Sequence, residues 1–320
     1  MVSAVIPAYN IADQLERCVN SILRQTYRDF EILIVDDGST DGTSALCDQL
    51  CREHSCVKVF HKENGGVSTA RNLGIEHLRG DFTVFIDGDD WIEPTLFEDA
   101  VASLDENDAD IFMYEYIVDT DGVPAVHSVD GDPYGLIDTE QALIHTLKPD
   151  NRLLWSKLFR TKLIANSRFR EGITMGEDTL FITEIILRSK RTVYSARPYY
   201  HYVIRGNSAV TSSFRMKKLT GLEAYRAQMD LCKAAGFTAA EEYARAALMD
   251  LAVALARRAA AADRETRKQA FCTIKKCVRS EKKRTLRSKR IGRKTKLKTL
   301  VASISPAVVV AMCNMLGEKA

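Results

Sequence analysis

Short apolar runs alternate with stretches of helical periodicity through the first hundred residues of this chain. The apolar runs predict strands at 2–7, 31–35, 57–60 and 82–86, and helical spacing of apolar residues fills the segments between them. This alternation predicts an α/β fold with a doubly wound, mostly parallel sheet and right-handed crossovers. Ligands of such sheets bind outside the carboxyl ends of the strands, so the residues that follow each strand are the first candidates for function.

The pattern changes twice further along the 320 residues. After residue 118 it becomes irregular, and beyond residue 214 helical periodicity returns, with Leu248, Leu251 and Leu255 at helical steps. We therefore predict a domain over 1–214, with halves at 1–118 and 119–214, followed by a helical extension over 215–320.

Charge is distributed unevenly. Residues 279–298 hold eleven Lys and Arg against Glu281, a local charge of +10, so a net charge of +2 leaves −8 on the other 300 residues. The apolar residues 299–316 follow, at about the minimum length of a membrane span. A basic run beside an apolar run predicts peripheral docking of 279–316 on an anionic membrane. Nucleic acid is not expected, because no aromatic residue interleaves with the basic run.

The start of the chain lacks the basic region and long apolar run of a secretory signal, so we expect a cytoplasmic protein, peripheral on the inner face of the membrane.

Polar residues follow the first two predicted strands. After the first come Pro7, Ala8, Tyr9 and Asn10; the Tyr9 ring can stack on a nucleobase, although a half-buried tyrosine in a turn is the simpler interpretation. After the second come Asp36 and Asp37. A carboxylate here can accept a hydrogen bond from a base or a ribose, or cap the next helix. Two adjacent acids exceed what a cap requires, which favours a functional Asp37.

A glycine pair follows the third predicted strand. Asn64 and Gly65 precede a predicted helix, whose N-terminus favours a phosphate. Arg71 lies one turn into that helix and can reach a diphosphate, while a surface arginine beside a loop is an equally good interpretation.

Three carboxylates in four residues follow the fourth predicted strand. Asp87, Asp89 and Asp90 flank Gly88, and such crowding is costly unless a cation neutralises it. Oxygen ligands suit Mg2+ or Mn2+, so the sequence predicts a metal at this cluster, although an acidic turn that caps the helix opened by Pro94 is the simpler interpretation. His201 is a candidate third ligand, although a lone histidine is more often structural.

Further candidates lie in the second half of the domain. Glu177 and Asp178 precede a predicted helix, where an acid can serve as a general base, but where capping is the commoner use. Trp155 is a candidate for lining an acceptor groove, Lys157 for meeting a phosphate, and Arg205 for contacting the acceptor; a strand with a snorkelling lysine is the simpler interpretation of 154–159.

In order along the chain, these elements resemble the family-2 glycosyltransferases with the GT-A fold, a Rossmann-like architecture. The matching segments are VIPAYN (5–10), SILRQTY (21–27), EILIVDDGSTD (31–41), NGGVSTARN (64–72) and FIDGDDW (85–91). The segment around Trp155 is similar to that of bacterial capsule and cell-wall transferases. The QxxRW motif of processive synthases is absent, which favours addition of a single sugar.

The resemblance implies that a hexosyl group is transferred, with inversion and with the help of a metal, from a nucleotide-diphosphate sugar to a glycan or lipid-linked acceptor. The expected donor is a UDP-sugar. Residues 1–118 would bind the nucleotide sugar and 119–214 the acceptor. Pro7, Tyr9 and Asp37 would hold the base and ribose. Arg71 would assist the diphosphate, and Glu177-Asp178 would be the ED motif. Residues 87–89 would be the DxD motif, with Asp89 and Asp90 reaching the ribose and the metal. Asp178 would then be the base, which reverses the preference for capping. A homo-oligomer is among the expected partners.

Two other functions remain open. A sugar nucleotidyltransferase also uses a doubly wound sheet, a metal and a nucleotide, but it usually carries a Gly-rich basic loop after the first strand, and residues 8–13 contain neither glycine nor a basic residue. A binding role centred on the basic run, for a membrane or for nucleic acid, is the second alternative.

Overall fold

A computed structural model describes residues 1–120, 123–127, 135–204 and 214–317. The chain divides into two compact units. The first comprises Met1–Ala142, Leu153–Glu171 and Ile185–Ser208, and the second comprises Leu143–Arg152, Gly172–Glu184 and Ala209–Ala320.

The strands of the first unit form one sheet. They are β1 (Val2–Ala8), β2 (Phe30–Asp36), β3 (Val57–His61), β4 (Phe82–Phe85), β5 (Trp91–Ile92), β6 (Ile111–Thr120), β7 (Val123–His127), β8 (Gly135–Ile137), β9 (Lys157–Arg160) and β10 (Thr192–Ile204). Their order is β3-β2-β1-β4-β9-β6-β10-β5, with β7 beside β6 and β8 beside β10.

The order of the strands reverses at β1. The chain runs outward from β1 to β2 and β3, and then returns to place β4 parallel to the other side of β1. The loops that follow β1 and β4 therefore diverge at this point, where open α/β sheets bind their ligands. The strand β9 is antiparallel to both β4 and β6, so the later part of the sheet is mixed.

The first unit also contains helices, which flank its sheet, and the second unit consists mostly of helices. They are α1 (Ala12–Leu23), α2 (Thr43–Glu53), α3 (Val67–Glu76), α4 (Leu96–Glu106), α5 (Thr139–Leu147), α6 (Thr161–Ile164), α7 (Glu177–Ile186), α8 (Thr220–Ala234), α9 (Thr238–Ala259), α10 (Arg264–Arg287), α11 (Arg293–Ile304) and α12 (Pro306–Met315). Short 3-10 helices lie at Pro149–Asn151 and Met216–Leu219. In α1, Leu15, Val19 and Ile22 are fully buried, as their helical spacing predicts.

The predicted fold class is confirmed: a mostly parallel sheet with flanking helices is followed by a helical C-terminal region. The first four strands lie where they are predicted, to within a residue at each end. The apolar run 299–316 is not one long helix, because it is divided between α11 and α12 at Ser305 and Pro306. Within the described residues, no helix has the length and apolar character to cross a membrane. The domain boundary at residue 214 stays a prediction.

Candidate active site

The carboxylate of Asp36 fastens the loop after β2. It is 2 % exposed, and it accepts hydrogen bonds from the Ser39 amide (3.1 Å), the Ser44 hydroxyl (2.6 Å) and Nδ1 of His61 (2.9 Å). Burial raises the pKa of Asp36, but these hydrogen bonds outweigh burial, so the pKa lies below its usual value. Asp36 therefore shapes the loop from within.

Asp37 joins the loop after β2 to the glycine pair after β3. Its Oδ1 accepts from Nζ of Lys62 (2.5 Å) and from the Gly65 amide (2.9 Å), and its Oδ2 accepts from the Gly66 amide (2.7 Å). The two glycine amides thus donate to Asp37, which differs from the expectation that Gly65 presents its amide to a phosphate. Asp37 fixes the turn from which α3 begins.

The loop after β1 is tied to the loop after β2. Asn10 adopts a positive φ of 53°, its amide donates to Oγ of Ser39 (3.0 Å), and its Oδ1 accepts from the Thr40 amide (2.8 Å). The backbone of Ala8, the last residue of β1, likewise accepts from the Asp37 amide (2.9 Å), and Pro7 is the residue before it in the strand. These bonds fix the loop in a conformation that leaves Tyr9 49 % exposed, and a ring must be exposed in this way to stack on a base.

Arg71 lies inside the first unit and not on its surface. Its side chain is 4 % exposed, its guanidinium lies 5.5 Å from the centre of the Phe169 ring, and its Nη2 is 3.1 Å from Oδ1 of Asp87. The neighbouring Asn72 exchanges two hydrogen bonds with the backbone of Phe169, at 2.7 and 3.0 Å. The contacts with Phe169 and Asp87 therefore fix the position of Arg71. It lies beside Asp87, the first carboxylate of residues 87–90, which we call the acidic motif.

The acidic motif is held from below by Tyr200, a fully buried residue of β10. The Tyr200 hydroxyl accepts from the Asp87 amide (3.1 Å) and donates to Oδ2 of Asp90 (2.8 Å), while the Val203 amide donates to Oδ1 of Asp90 (2.8 Å). Burial and the neighbouring charges of Asp87 and Asp89 raise the pKa of Asp90 to about 8. Asp90 is thus an internal support of the motif, which departs from its predicted role as a metal ligand.

Gly88 packs closely against the loop after β1. A Cβ at this position would lie 2.4 Å from Cδ1 of Ile11 and 3.1 Å from Cγ2 of Ile6, so a side chain here would displace the end of the Ile11 side chain. The motif remains half-buried at Asp87 and Asp89.

The donor set suits a metal that arrives with its substrate. Among the residues that the structure describes, no three His, Cys, Asp or Glu side chains are grouped so that they could hold a metal ion alone. Mg2+ generally keeps several waters and binds one or two carboxylates together with substrate phosphates. The carboxylates of Asp87 and Asp89 lie near Asp90 and are half-buried. They are therefore suitable ligands for a cation of this kind.

His201 is held by other partners. Its Nε2 is 2.7 Å from Oε1 of Glu93, and its ring stacks on Trp91 at 3.3 Å between ring centres. These contacts account for its orientation and differ from its expected role as a metal ligand.

Trp155 and Lys157 are core residues. Trp155 is 4 % exposed and stacks on the Tyr200 ring at 4.0 Å, so it supports the acidic motif from beneath and does not line an open groove. Lys157 is 1 % exposed, and its Nζ donates to the Leu153 carbonyl (2.8 Å) and to Oγ of Ser156 (3.1 Å). The snorkelling interpretation of Lys157 is wrong, and its contacts are those of a buried lysine.

Glu177 and Asp178 occupy the first turn of α7 in the second unit, and both are partly exposed. The preceding Gly176 has a φ of +79°, and a Cβ there would lie 2.5 Å from Cε2 of Tyr225. On α8, Nε2 of Gln228 donates to the Thr179 carbonyl (3.2 Å). The start of α7 is thus fixed by α8.

A cavity of about 320 Å³ opens beside Glu177 within the second unit. Its lining includes the cations Lys218 and Arg258 and the apolar side chains of Leu251 and Leu255. Burial lowers the pKa of Lys218, and the charges of Arg258 and Arg215 lower it further. The cavity therefore combines an apolar wall with positive charge.

The structure brings together the predicted residues that follow β1 to β4, and it places Glu177 and Asp178 in the second unit. Arg205 lies outside the described residues. Sequence reasoning assigned no role to Tyr200, Asn72 or Lys62, although the last two lie in or next to the matching segment 64–72. Tyr200 lies 113 residues from the Asp87 amide that it accepts from, and no local pattern indicates such a contact.

Comparison with known proteins decides the family. The sequence profile described as "Glycosyl transferase family 2" matches residues 3–169, more than half of the chain. The chain belongs to this family. Family 2 is the family that the sequence resembles, so that prediction is confirmed.

Individual relatives agree with this family. The chain is 29 % identical to the glycosyltransferase GlyA of Streptococcus pneumoniae serotype 4 over 216 residues, which cover 65 % of this chain and 31 % of GlyA. It thus spans about a third of the length of that relative.

The fold is shared with two solved structures. One is S. aureus TarS 1–349 in complex with UDP, with a TM-score of 0.74, 21 % identity and coverage of 99 % and 92 % of the two chains. The other is the mannosyltransferase PcManGT of Pyrobaculum calidifontis with GDP-Man and Mn2+, with a TM-score of 0.55, 16 % identity and coverage of 99 % and 88 %.

Proposed function

We propose that this family-2 protein transfers a sugar, with inversion, from a nucleotide-diphosphate donor to a hydroxyl group of a glycan or lipid-linked acceptor. The observation that carries the proposal is the convergence, at the point where the strand order reverses, of an exposed Tyr9 ring, the Arg71–Asp87 pair and the half-buried Asp89. These groups suit a base, a diphosphate and a cation respectively.

The donor is a UDP-sugar in this proposal. Tyr9 stacks on the base, and the turn that Asp37 holds lies beside the base and ribose. Arg71 binds the diphosphate in this proposal, because its buried guanidinium is directed at the acidic motif. The TarS structure that shares this fold was solved with UDP, which supports the choice of nucleotide.

Asp89, with Asp87 beside it, would hold Mn2+ or Mg2+ together with the donor phosphates. When bound, the ion would stabilise the negative charge that builds on the departing diphosphate. The structure of PcManGT contains Mn2+, which supports this type of metal. Asp90 and Tyr200 would set the position of the motif through their hydrogen bonds.

Asp178 would be the general base. It would accept the proton of the acceptor hydroxyl as the oxygen attacks the anomeric carbon and the diphosphate departs. Its place in the first turn of α7, partly exposed and fixed by Gly176 and α8, supports this role.

The acceptor carries an anionic group as well as an apolar part in this proposal. The cavity beside Glu177 has Lys218 and Arg258 on its lining together with Leu251 and Leu255, a combination that suits a phosphate next to a lipid or an alkyl chain. A lipid-linked acceptor has both features.

The test is a panel of nucleotide sugars with Mn2+, in which released UDP and pyrophosphate are measured separately. We expect UDP from one donor, whereas pyrophosphate would indicate a nucleotidyltransferase. Asp178→Asn should lower turnover by about a hundredfold or more with little change in UDP affinity.

Asp263→Asn is the matched control for Asp178→Asn. Asp263 caps α10, where its Oδ1 accepts from the Glu265 and Thr266 amides, both at 3.0 Å. If Asp178 only caps a helix, both variants will keep near-normal turnover, and the assignment of the base is then wrong.

A further inference from the structure

The helix α11 has its large aliphatic side chains on the outside. Leu297, Leu300 and Ile304 are 52, 38 and 63 % exposed, and their spacing of three and four residues places them on one face. Its buried side chains are small or carry hydroxyl groups: Thr299, Ala302 and Ser303. A helix that faces water has the reverse arrangement, so this face is built for an apolar environment.

Apolar exposure is concentrated in this part of the chain. Twelve large apolar side chains are exposed among the residues that the structure describes, and six of them lie within 297–316. On α12, Val308 and Met315 are 54 and 82 % exposed, while Pro306, Val309 and Cys313 are buried. This density exceeds the scattered single exposures that are normal on a protein surface.

The same segment is strongly basic. Residues 282–317 contain ten Lys and Arg and no Asp or Glu. Lys283, Arg284 and Arg287 at the end of α10, and Arg293 at the start of α11, are exposed. Anionic headgroups attract such a segment, and each Lys or Arg near the surface adds to the attraction.

We propose that α11 and α12 form a docking surface for an anionic lipid bilayer. The helices lie in the plane of the interface, with Leu297, Leu300 and Ile304 at the boundary of the acyl chains and the basic residues at the headgroups. A second copy of the chain is the poorer occupant, because a two-fold contact would bring two sets of ten positive charges together. This inference does not depend on the identity of the sugar donor.

The experiment is flotation of the purified full-length chain with vesicles of phosphatidylcholine and phosphatidylglycerol, or of phosphatidylcholine alone. We expect partitioning at least about tenfold stronger with the anionic lipid, and weaker in high salt. The triple variant Leu297→Ser, Leu300→Ser and Ile304→Ser should reduce partitioning by roughly a hundredfold.

Leu136→Ser is the matched control, since Leu136 in β8 is also 52 % exposed and lies in the other unit. It should float like the wild type, whereas Leu297→Ser alone should show a measurable loss and preserve folding. Equal flotation of the triple variant and the wild type would overturn the proposal. So would a concentration-dependent dimer that the triple variant abolishes, together with no flotation of the wild type.

Discussion

Two pairs of carboxylates at one edge of the sheet differ in how the protein satisfies them. After β2, Asp36 and Asp37 accept hydrogen bonds from backbone amides, from the Ser44 hydroxyl and from the side chains of His61 and Lys62. After β4, Asp87 pairs with Arg71, and Asp90 lies buried beside the charges of Asp87 and Asp89.

The pKa values express this difference. The hydrogen bonds to Asp36 overcome its burial and lower its pKa, whereas burial and like charges raise the pKa of Asp90 to about 8. The cluster after β2 is electrostatically complete within the protein and acts as a scaffold. After β4, burial and the neighbouring charges of Asp87 and Asp89 disfavour the ionised form of Asp90, and a cation that accompanies the donor would relieve this repulsion.

Asp89→Asn gives the largest expected effect. It removes a carboxylate proposed to bind the metal, so turnover should fall by about a thousandfold, equal to about 4 kcal/mol, in assays with saturating Mn2+. Removal of the metal from the wild type with EDTA should cause a similar loss, which added Mn2+ should restore.

The same variant should hardly change folding. Asp89 is half-buried and lies close to other negative charges, so urea denaturation of Asp89→Asn should show a change below about 1 kcal/mol. A loss of stability comparable with the loss of activity would mean that this cluster is a scaffold as well, and the contrast with Asp36 would disappear.

Asp36→Ala should show the opposite profile. It leaves the Ser39 amide, the Ser44 hydroxyl and His61 without their buried acceptor, so the free energy of unfolding should fall by about 3 kcal/mol in urea titrations, with or without metal. If saturating UDP and Mn2+ rescued this loss completely, Asp36 would belong to the ligand site and not to the scaffold.

The first four strands and the acidic residues behind them could be predicted because both signals are local. A buried strand is a short apolar run, and the carboxyl ends of parallel strands meet at one edge. The partners of those acids could not be predicted. Lys62 lies 25 residues from Asp37, and the Val203 amide lies 113 residues from Asp90. Such pairs follow from strand order, which periodicity does not encode.

The helical region shows a second limit of prediction from the sequence. Periodicity correctly indicates helices beyond residue 214, but it assigns large apolar residues to the inside. In α11 the packing that buries Thr299 and Ser303 leaves Leu297 and Ile304 outside. Which face of a helix is buried is decided by the elements packed against it, so the orientation of α11 required the tertiary structure.

Tyr200→Phe tests the support under the acidic motif. It removes a hydroxyl that accepts from the Asp87 amide and donates to Asp90, so stability should fall by about 2 kcal/mol and the KM for the donor should rise. Tyr114→Phe is the control, since this buried hydroxyl donates to the Trp155 carbonyl and should cost about 1 kcal/mol without changing the KM. Equal KM values for the two variants would contradict a positioning role for Tyr200.

Substitution of His61 should have the smallest effect on stability. The dependence of that effect on pH tests the scaffold after β2. Hydrogen bonds to Asp36 (2.9 Å) and Asp48 (3.1 Å) raise the pKa of His61 above its usual 6.5 in the folded chain. The folded state therefore favours the protonated ring, so its contribution to stability is complete below pH 6.5 and is lost as the pH rises through the folded pKa. Because His61 is 44 % exposed, solvent limits this contribution to less than about 1 kcal/mol.

His61→Gln should thus lower the melting temperature more at about pH 5.5 than at about pH 8.5. Asp48→Asn removes the exposed partner of His61 and keeps the buried one, so it should reproduce a smaller part of the same pH dependence. If the difference between wild type and His61→Gln grew toward alkaline pH, His61 would be acting as a neutral hydrogen-bond partner. The cluster after β2 would then keep more negative charge, and its contrast with the cluster after β4 would be weaker than the geometry indicates.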